Sequence, residues 1–336
     1  MRFYSIKLLK KNMERGGFWG ILFLGAMLIG LISCQQDEHM AAEIAPISFC
    51  SDVNGMEWQT GALRTGTQGN ASQPSRGTLV STSTMHSRLG CWASMYSTTE
   101  TWNEQSPINL MNNREVTRDL SYRSDVYWPG AWQKVRFFAY APYGNSGLSF
   151  LENRSGYPAF EYTAPLDMAA QEDILVASTE EYPGDFNQVV PLTFKHAMTA
   201  IRFVDMGMPQ GTVTKITVSG VYGKARHYVG KNMWDSYSMV TDFVFPVNYQ
   251  TAEAEDANVE IRNDINRLIL IPQVLPAGAK LKLELQDASG AVTEYTASLA
   301  DTEWQMGKIV RYNLSIQERA LVVVGDLSDW MDGGEL

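Results

Sequence analysis

Cysteine, histidine and positive charge are all scarce in this chain of 336 residues. It has three Cys, four His, and 27 Lys plus Arg against 37 Asp plus Glu, for a net charge of −10. The cysteines form no CxxC pair and no zinc ligand set. The shortage of cations argues against nucleic acid and anionic membrane as partners. His39, His86, His196 and His227 lie in separate segments. No H-E-x-x-H, G-x-S-x-G, Walker or dinucleotide-binding glycine pattern is present, and no cofactor or metal is implied. Catalytic carboxylates can lie far apart in sequence, so a hydrolase is not excluded, but nothing positive supports an enzyme. Helical periodicity is rare too: only residues 104–118, with Ile108 and Met111 three apart, predict one short helix.

What is present begins with targeting. Arg2, Lys7, Lys10, Lys11 and Arg15 precede an uncharged stretch from Gly16 to Ser33, the layout of a secretory signal. Its apolar core, residues 21–32, is too short to cross a bilayer as a helix, which needs about 20 residues. "LISC" at 31–34 resembles a lipobox, in which a small Ser33 fits a peptidase cleft and the Cys34 thiolate takes the lipid. Several acyl chains on one residue give firm attachment, where one chain alone is marginal. The acidic pair Asp37 and Glu38 resembles the export tag of surface-displayed lipoproteins. Removing residues 1–33 takes away five cations and Glu14, so the mature chain has a net charge near −14 and length enough for two ordinary domains.

Residues 34–78 are poor in apolar side chains and rich in Gly, Ser, Thr, Gln and Asn, which is linker composition. One island interrupts it: in "APISFCSDV", Ile47 and Phe49 alternate with polar neighbours as in a short strand. From Leu79 onward the pattern is nearly all β. "DVYWPGAWQKVRFFAYAPY" is dense in aromatics, "VVPLTFKHAMTAIRFVDMG" alternates twice, and "TKITVSGVYG" alternates through Ile216 and Val218. The clearest hairpin is "AKLKLELQDASGAVTEYTASL". Leu281, Leu283 and Leu285 share one face, residues 287–290 turn, and Thr293, Tyr295, Ala297 and Leu299 share the return face. "KIVRYNLSI" and "ALVVVGDLSDW" end the chain as strands. Short strands at roughly ten-residue spacing predict antiparallel sandwiches or barrels, with domains at 79–184 and 185–336.

Several residues could carry chemistry, and each has a plainer reading. His196, among alternating apolar positions, fits a structural hydrogen-bonding residue better than a ligand or base. Glu172 and Asp173 stand at a strand start, where solvated acids are ordinary. Trp128, Trp132, Tyr140 and Tyr143 could stack a sugar, but aromatics dominate core burial and core is the favoured reading. Cys50 and Cys91 are left to pair or to remain two thiols if Cys34 is lipidated.

In this order the segments resemble the fimbrillin family, the lipoprotein-derived subunits of type V pili. The resemblance is carried by Cys34, "YWPGAWQKVRFFAYAPY", "QEDILVAS", "VPLTFKHAMTAIRF", "LILIPQVLPAGAKLKLEL" and "EWQMGKIVRYNLSI". It implies two transthyretin-like antiparallel β-sandwich domains and a non-catalytic structural role supporting adhesion. Partners would be other fimbrial subunits, the outer membrane through the lipid, and host or bacterial surface ligands. It also implies that an Arg-directed protease removes an N-terminal strand and that a neighbour's strand fills the opened groove. Arg76 is the preferred cleavage point and Arg64 the other; the strand lost would hold residues 47–49. The donor would be the tail, with Leu321, Val323, Leu327 and Trp330 as groove-filling candidates. The competing expectation is a monomeric surface lipoprotein that binds glycans through exposed aromatics.

Overall fold

The computed structural model describes residues 44–53, 85–118, 122–251, 258–263 and 267–330, all within one compact unit, Gln36–Leu336. The fold is all-β: no α-helix forms among the described residues, and Met168–Ala170 makes one 3₁₀ turn.

An eight-stranded sheet builds the first core. Its order is Met111–Thr117, Arg88–Ser97, Gln133–Ala141, Leu175–Ser178, Val190–His196, Pro46–Val53 and Arg123–Tyr127, with Tyr182–Pro183 also beside Gln133–Ala141. Every strand on that path sends side chains into the same core, or leads directly to one that does. Ile47, Phe49, Leu89, Trp128, Phe137, Leu192 and Phe194 are all buried there. The aromatics interlock edge-to-face, Phe49 on Phe137 at 5.4 Å and Trp128 on Phe137 at 5.7 Å between centroids. Such pairs add about 0.5–1.5 kcal/mol beyond area burial.

A second core lies between two further sheets. One orders Val292–Ser298, Lys280–Gln286, Thr212–Tyr228, Ala159–Thr163 and Leu148–Phe150, with Met233–Gln250 along the free side of Thr212–Tyr228. The other orders Val259–Glu260, Thr199–Asp205, Lys308–Gln317 and Ala320–Asp329, with Leu268–Leu270 also on Thr199–Asp205. Ile216, Val218, Phe243, Phe245, Leu281 and Leu283 of one face Ile201, Phe203, Tyr312 and Leu314 of the other. Phe203 touches both Phe245 (5.2 Å) and Tyr312 (6.3 Å). This is sandwich packing: each sheet hides one face and wets the other, so residues alternate along the strands.

Strand Gln133–Ala141 explains the aromatic density of its segment. Val135, Phe137 and Ala139 point into the first core, while Phe138 and Tyr140 point into the second. A strand buried on both faces needs a nearly continuous apolar run rather than alternation. Thr199–Asp205 is buried along its whole length for the same reason.

One expectation is corrected here, and one left open is decided. Residues 104–118 form no helix: 104–106 are turn and bend, and Met111–Thr117 is a strand on Arg88–Ser97. The helix-like spacing joins a loop residue, Ile108, whose backbone N–H donates to Arg154 O, to the first strand residue, Met111. Within the strand Asn113, at φ 47°, interrupts the alternation, so Met111 and Val116 face inward five residues apart. Cys50 and Cys91 are not bonded to each other. Cys91 is a free, buried thiol on Arg88–Ser97, and burial pushes its pKa up.

Candidate functional site

The strand Pro46–Val53, called here the N-terminal strand, is not at an edge. It pairs in parallel with Val190–His196, Phe49 opposite Val190 and Val53 opposite Phe194. On its other side it pairs antiparallel with Arg123–Tyr127, Pro46 opposite Tyr127, and Phe49 N–H donates to Tyr122 O at 3.2 Å. Ile47 and Phe49 are 0 % and 2 % exposed. Burying side chains of this size contributes about 1.5–3 kcal/mol each. Without this strand, two neighbours would show unpaired N–H and C=O groups beside the holes left by Ile47 and Phe49. After Val53 the described chain resumes at Met85, so Arg64 and Arg76 both fall in the intervening link. Cys34, Arg64 and Arg76 all lie outside the described residues.

The tail strand, Ala320–Asp329, is an edge strand. Among the described residues it pairs only with Lys308–Gln317, through a two-residue turn in which Glu318 and Arg319 have φ of 47° and 64°. Left-handed backbone at non-glycine residues costs roughly 1–2 kcal/mol each. Most of its side chains are exposed. Leu321 is buried, Val323 is half-buried against the second core, and Leu327, opposite Val310, is 47 % exposed. Trp330, just beyond the strand, is 2 % exposed; its backbone N–H donates to Gly307 O at 3.1 Å. Lys308 and Asp329 form an ion pair beside it. Three of the four candidate groove fillers are thus seated against this chain's own core, and Leu327 is largely open.

Trp330 links the tail to the groove. Its ring stacks on His196, centroids 4.3 Å apart and planes at 10°. His196 closes Val190–His196, the strand on which the N-terminal strand lies, and its Nδ1 is 2.7 Å from Asp173 Oδ2. The structural reading of His196 therefore holds. Asp173 does not fit the expectation of a solvated acid: it is 1 % exposed and bound to the histidine. Nearby His86 is held down to about 4 by burial, with the Asp173 carboxylate opposing the shift. Spacing could not reveal this group, because Asp173, His196 and Trp330 come from three distant segments. Only the inward phase of His196 in "PLTFKHA" hints at it.

The four aromatics proposed as a sugar platform are scattered. Trp128 and Tyr140 are buried in different cores, Tyr143 lies half-buried under Arg88 (5.1 Å), and Trp132 alone of the four is fully open.

The chain is all-β, with an internal N-terminal strand and an edge strand at its tail. The fimbrillin-like family model matches residues 78–330, and the chain belongs to that family. In fold it is similar to a fimbrial protein from Bacteroides vulgatus, at 16 % identity and TM-score 0.56, over 72 % of this chain and 93 % of that one. It is also similar to a candidate cell adhesion protein from Bacteroides ovatus, at 14 % identity and TM-score 0.53, over 87 % of this chain and 100 % of that one. No curated protein matches the sequence.

Proposed function

We propose that this protein is a non-catalytic structural subunit of cell-surface fimbriae that polymerises by strand exchange and so supports adhesion. The chain is exported, lipidated at Cys34 and held on the outer membrane. An Arg-directed protease cuts the link at Arg76, or at Arg64, and the N-terminal strand leaves. The tail strand of a neighbouring subunit, of the same or another kind, then fills the groove between Val190–His196 and Arg123–Tyr127. The two cores act as two transthyretin-like domains whose strands interleave across the 184/185 boundary: the sheet that includes Val190–His196 accepts a strand, and the sheet that ends in Ala320–Asp329 donates one.

The observation that carries this reading is the N-terminal strand's position. It is bonded on both sides and buried by two apolar side chains, yet tied to the rest of the chain through a link holding two arginines. A strand that completes a sheet from outside regains both the backbone hydrogen bonds and the apolar contacts that were lost. Donation requires the tail strand to leave Lys308–Gln317, where it is hydrogen-bonded along one side only. The test is Arg64→Gln with Arg76→Gln. Treated with an Arg-specific protease, the natural protein should lose its N-terminal strand and form SDS-resistant ladders, while the double variant stays intact and monomeric. Ladders from the uncleaved variant would refute the processing step.

A further inference from the structure

Three large apolar side chains are exposed where the N-terminal strand begins: Ile44 (61 %), Tyr127 (54 %) and Trp132 (82 %). Pro46 pairs with Tyr127, and Trp128 N–H donates to Ala45 O at 3.1 Å, so the ladder continues past the strand and brings Ile44 beside the turn at 129–132. That turn is fixed. Gly130 donates to Gly184 O (2.8 Å), Gln133 to Gly130 O (3.1 Å), and Thr98 to Trp132 O (3.2 Å). Trp132 is therefore held outward by bonded backbone, while its neighbour Trp128 supplies the core.

We propose that Ile44, Tyr127 and Trp132 form a membrane-contact patch that rests on the lipid surface to which Cys34 tethers the chain; this builds on the lipid anchor in the reading above. Nine residues separate Cys34 from Ile44. Even fully extended they reach at most about 35 Å, so this end of the sheet stays beside the bilayer. Trp and Tyr are amphipathic rings suited to the headgroup level, and Ile adds aliphatic surface below it. A glycan platform would want flat rings to stack a sugar, and Ile44 offers none. Asp185, exposed in the loop whose Gly184 and Asn187 bond Gly130 and Ala45, favours uncharged headgroups over anionic ones.

The test uses the acylated full-length chain reconstituted into phosphatidylcholine vesicles with brominated acyl chains. Tryptophan emission is compared between the natural protein and Trp132→Phe, an exposed position where substitution leaves folding intact. Bromolipid should quench the natural protein, and Trp132→Phe should lose most of that quenching. Equal quenching in both overturns the patch, as does a Trp132 emission that responds to soluble oligosaccharides and not to bromolipid. Palmitate labelling of the same sample separates the two levels. A chain without label overturns anchor and patch together; a labelled chain without Trp132-dependent quenching overturns the patch alone.

Discussion

The N-terminal strand and the tail strand are both terminal, but they are held in opposite ways. The first is internal, hydrogen-bonded on both sides, with Ile47 and Phe49 wholly within the first core. The second is bonded on one side, mostly exposed between its ends, and fastened by Leu321 near a strained turn and Trp330 at the far end. Removing a strand held from two sides breaks two ladders and exposes its buried side chains, which is why the exchange proposed above includes a cut in its link and a replacement strand. A strand held from one side at two points can open and search. The pair suits an exchange in which one is the occupant to be displaced and the other the replacement.

The sharpest way to break that comparison is to unload the internal strand. Ile47→Ala with Phe49→Ala should cost about 5 kcal/mol or more in unfolding free energy, from lost transfer energy plus cavities. Denaturant titration checks it; a loss below about 1 kcal/mol would mean the strand is not integral to the first core. Next in size is Trp330→Ala. It removes a buried indole and should cost about 3 kcal/mol or more. The excess appears locally, as faster hydrogen exchange at amides 320–329 while Val190–His196 keeps its protection. Uniform acceleration throughout would show that Trp330 supports the whole fold and does not act as a clasp for the tail.

Acid probes the two cores separately. Burial holds His227 down to about 3 within the second core, against Phe160 and Trp234, and His86 down to about 4 beside the first. Between those values and the 6.5 of an exposed histidine, the unfolded chain binds more protons than the folded one. Stability is therefore full above pH 6.5 and falls as pH drops, by on the order of 2 kcal/mol per histidine at pH 5. Unfolding midpoints at pH 7 and pH 5 should differ, and His227→Gln should remove about half of the difference, the rest belonging to His86. A midpoint that does not move with pH would contradict the buried neutral state. The smallest effect is expected at Leu327, where Leu327→Ser should change monomer stability by no more than about 0.5 kcal/mol. In cleaved protein the same change should shorten the ladders if Leu327 fills a neighbour's groove, and leave them unaltered if it does not.

Much of this architecture was readable from residue order. The alternation in "VPLTFKH" yields a strand with Val190, Leu192, Phe194 and His196 inward, and the hairpin through residues 287–290 lies as its pattern predicts. The island around Ile47 and Phe49 is a strand with both side chains buried. What could not be read depends on partners distant in sequence. Asp173 looks like a surface acid until His196 is found beside it, 23 residues on. Ile108 and Met111 mimic a helical face although Ile108 lies in a loop and Met111 begins a strand. The exposed Trp132 and the buried Trp128 share one segment, and only the turn between them decides which faces water.

The most direct measurement is assembly by protein ending at Arg319, lacking the tail strand, after the same Arg-specific cleavage as the full chain. Strand donation by the tail predicts that the truncated subunit, alone, gives no SDS-resistant ladder, yet still accepts a full-length subunit to form a terminated pair. Ladders of undiminished length from the truncated protein would contradict it.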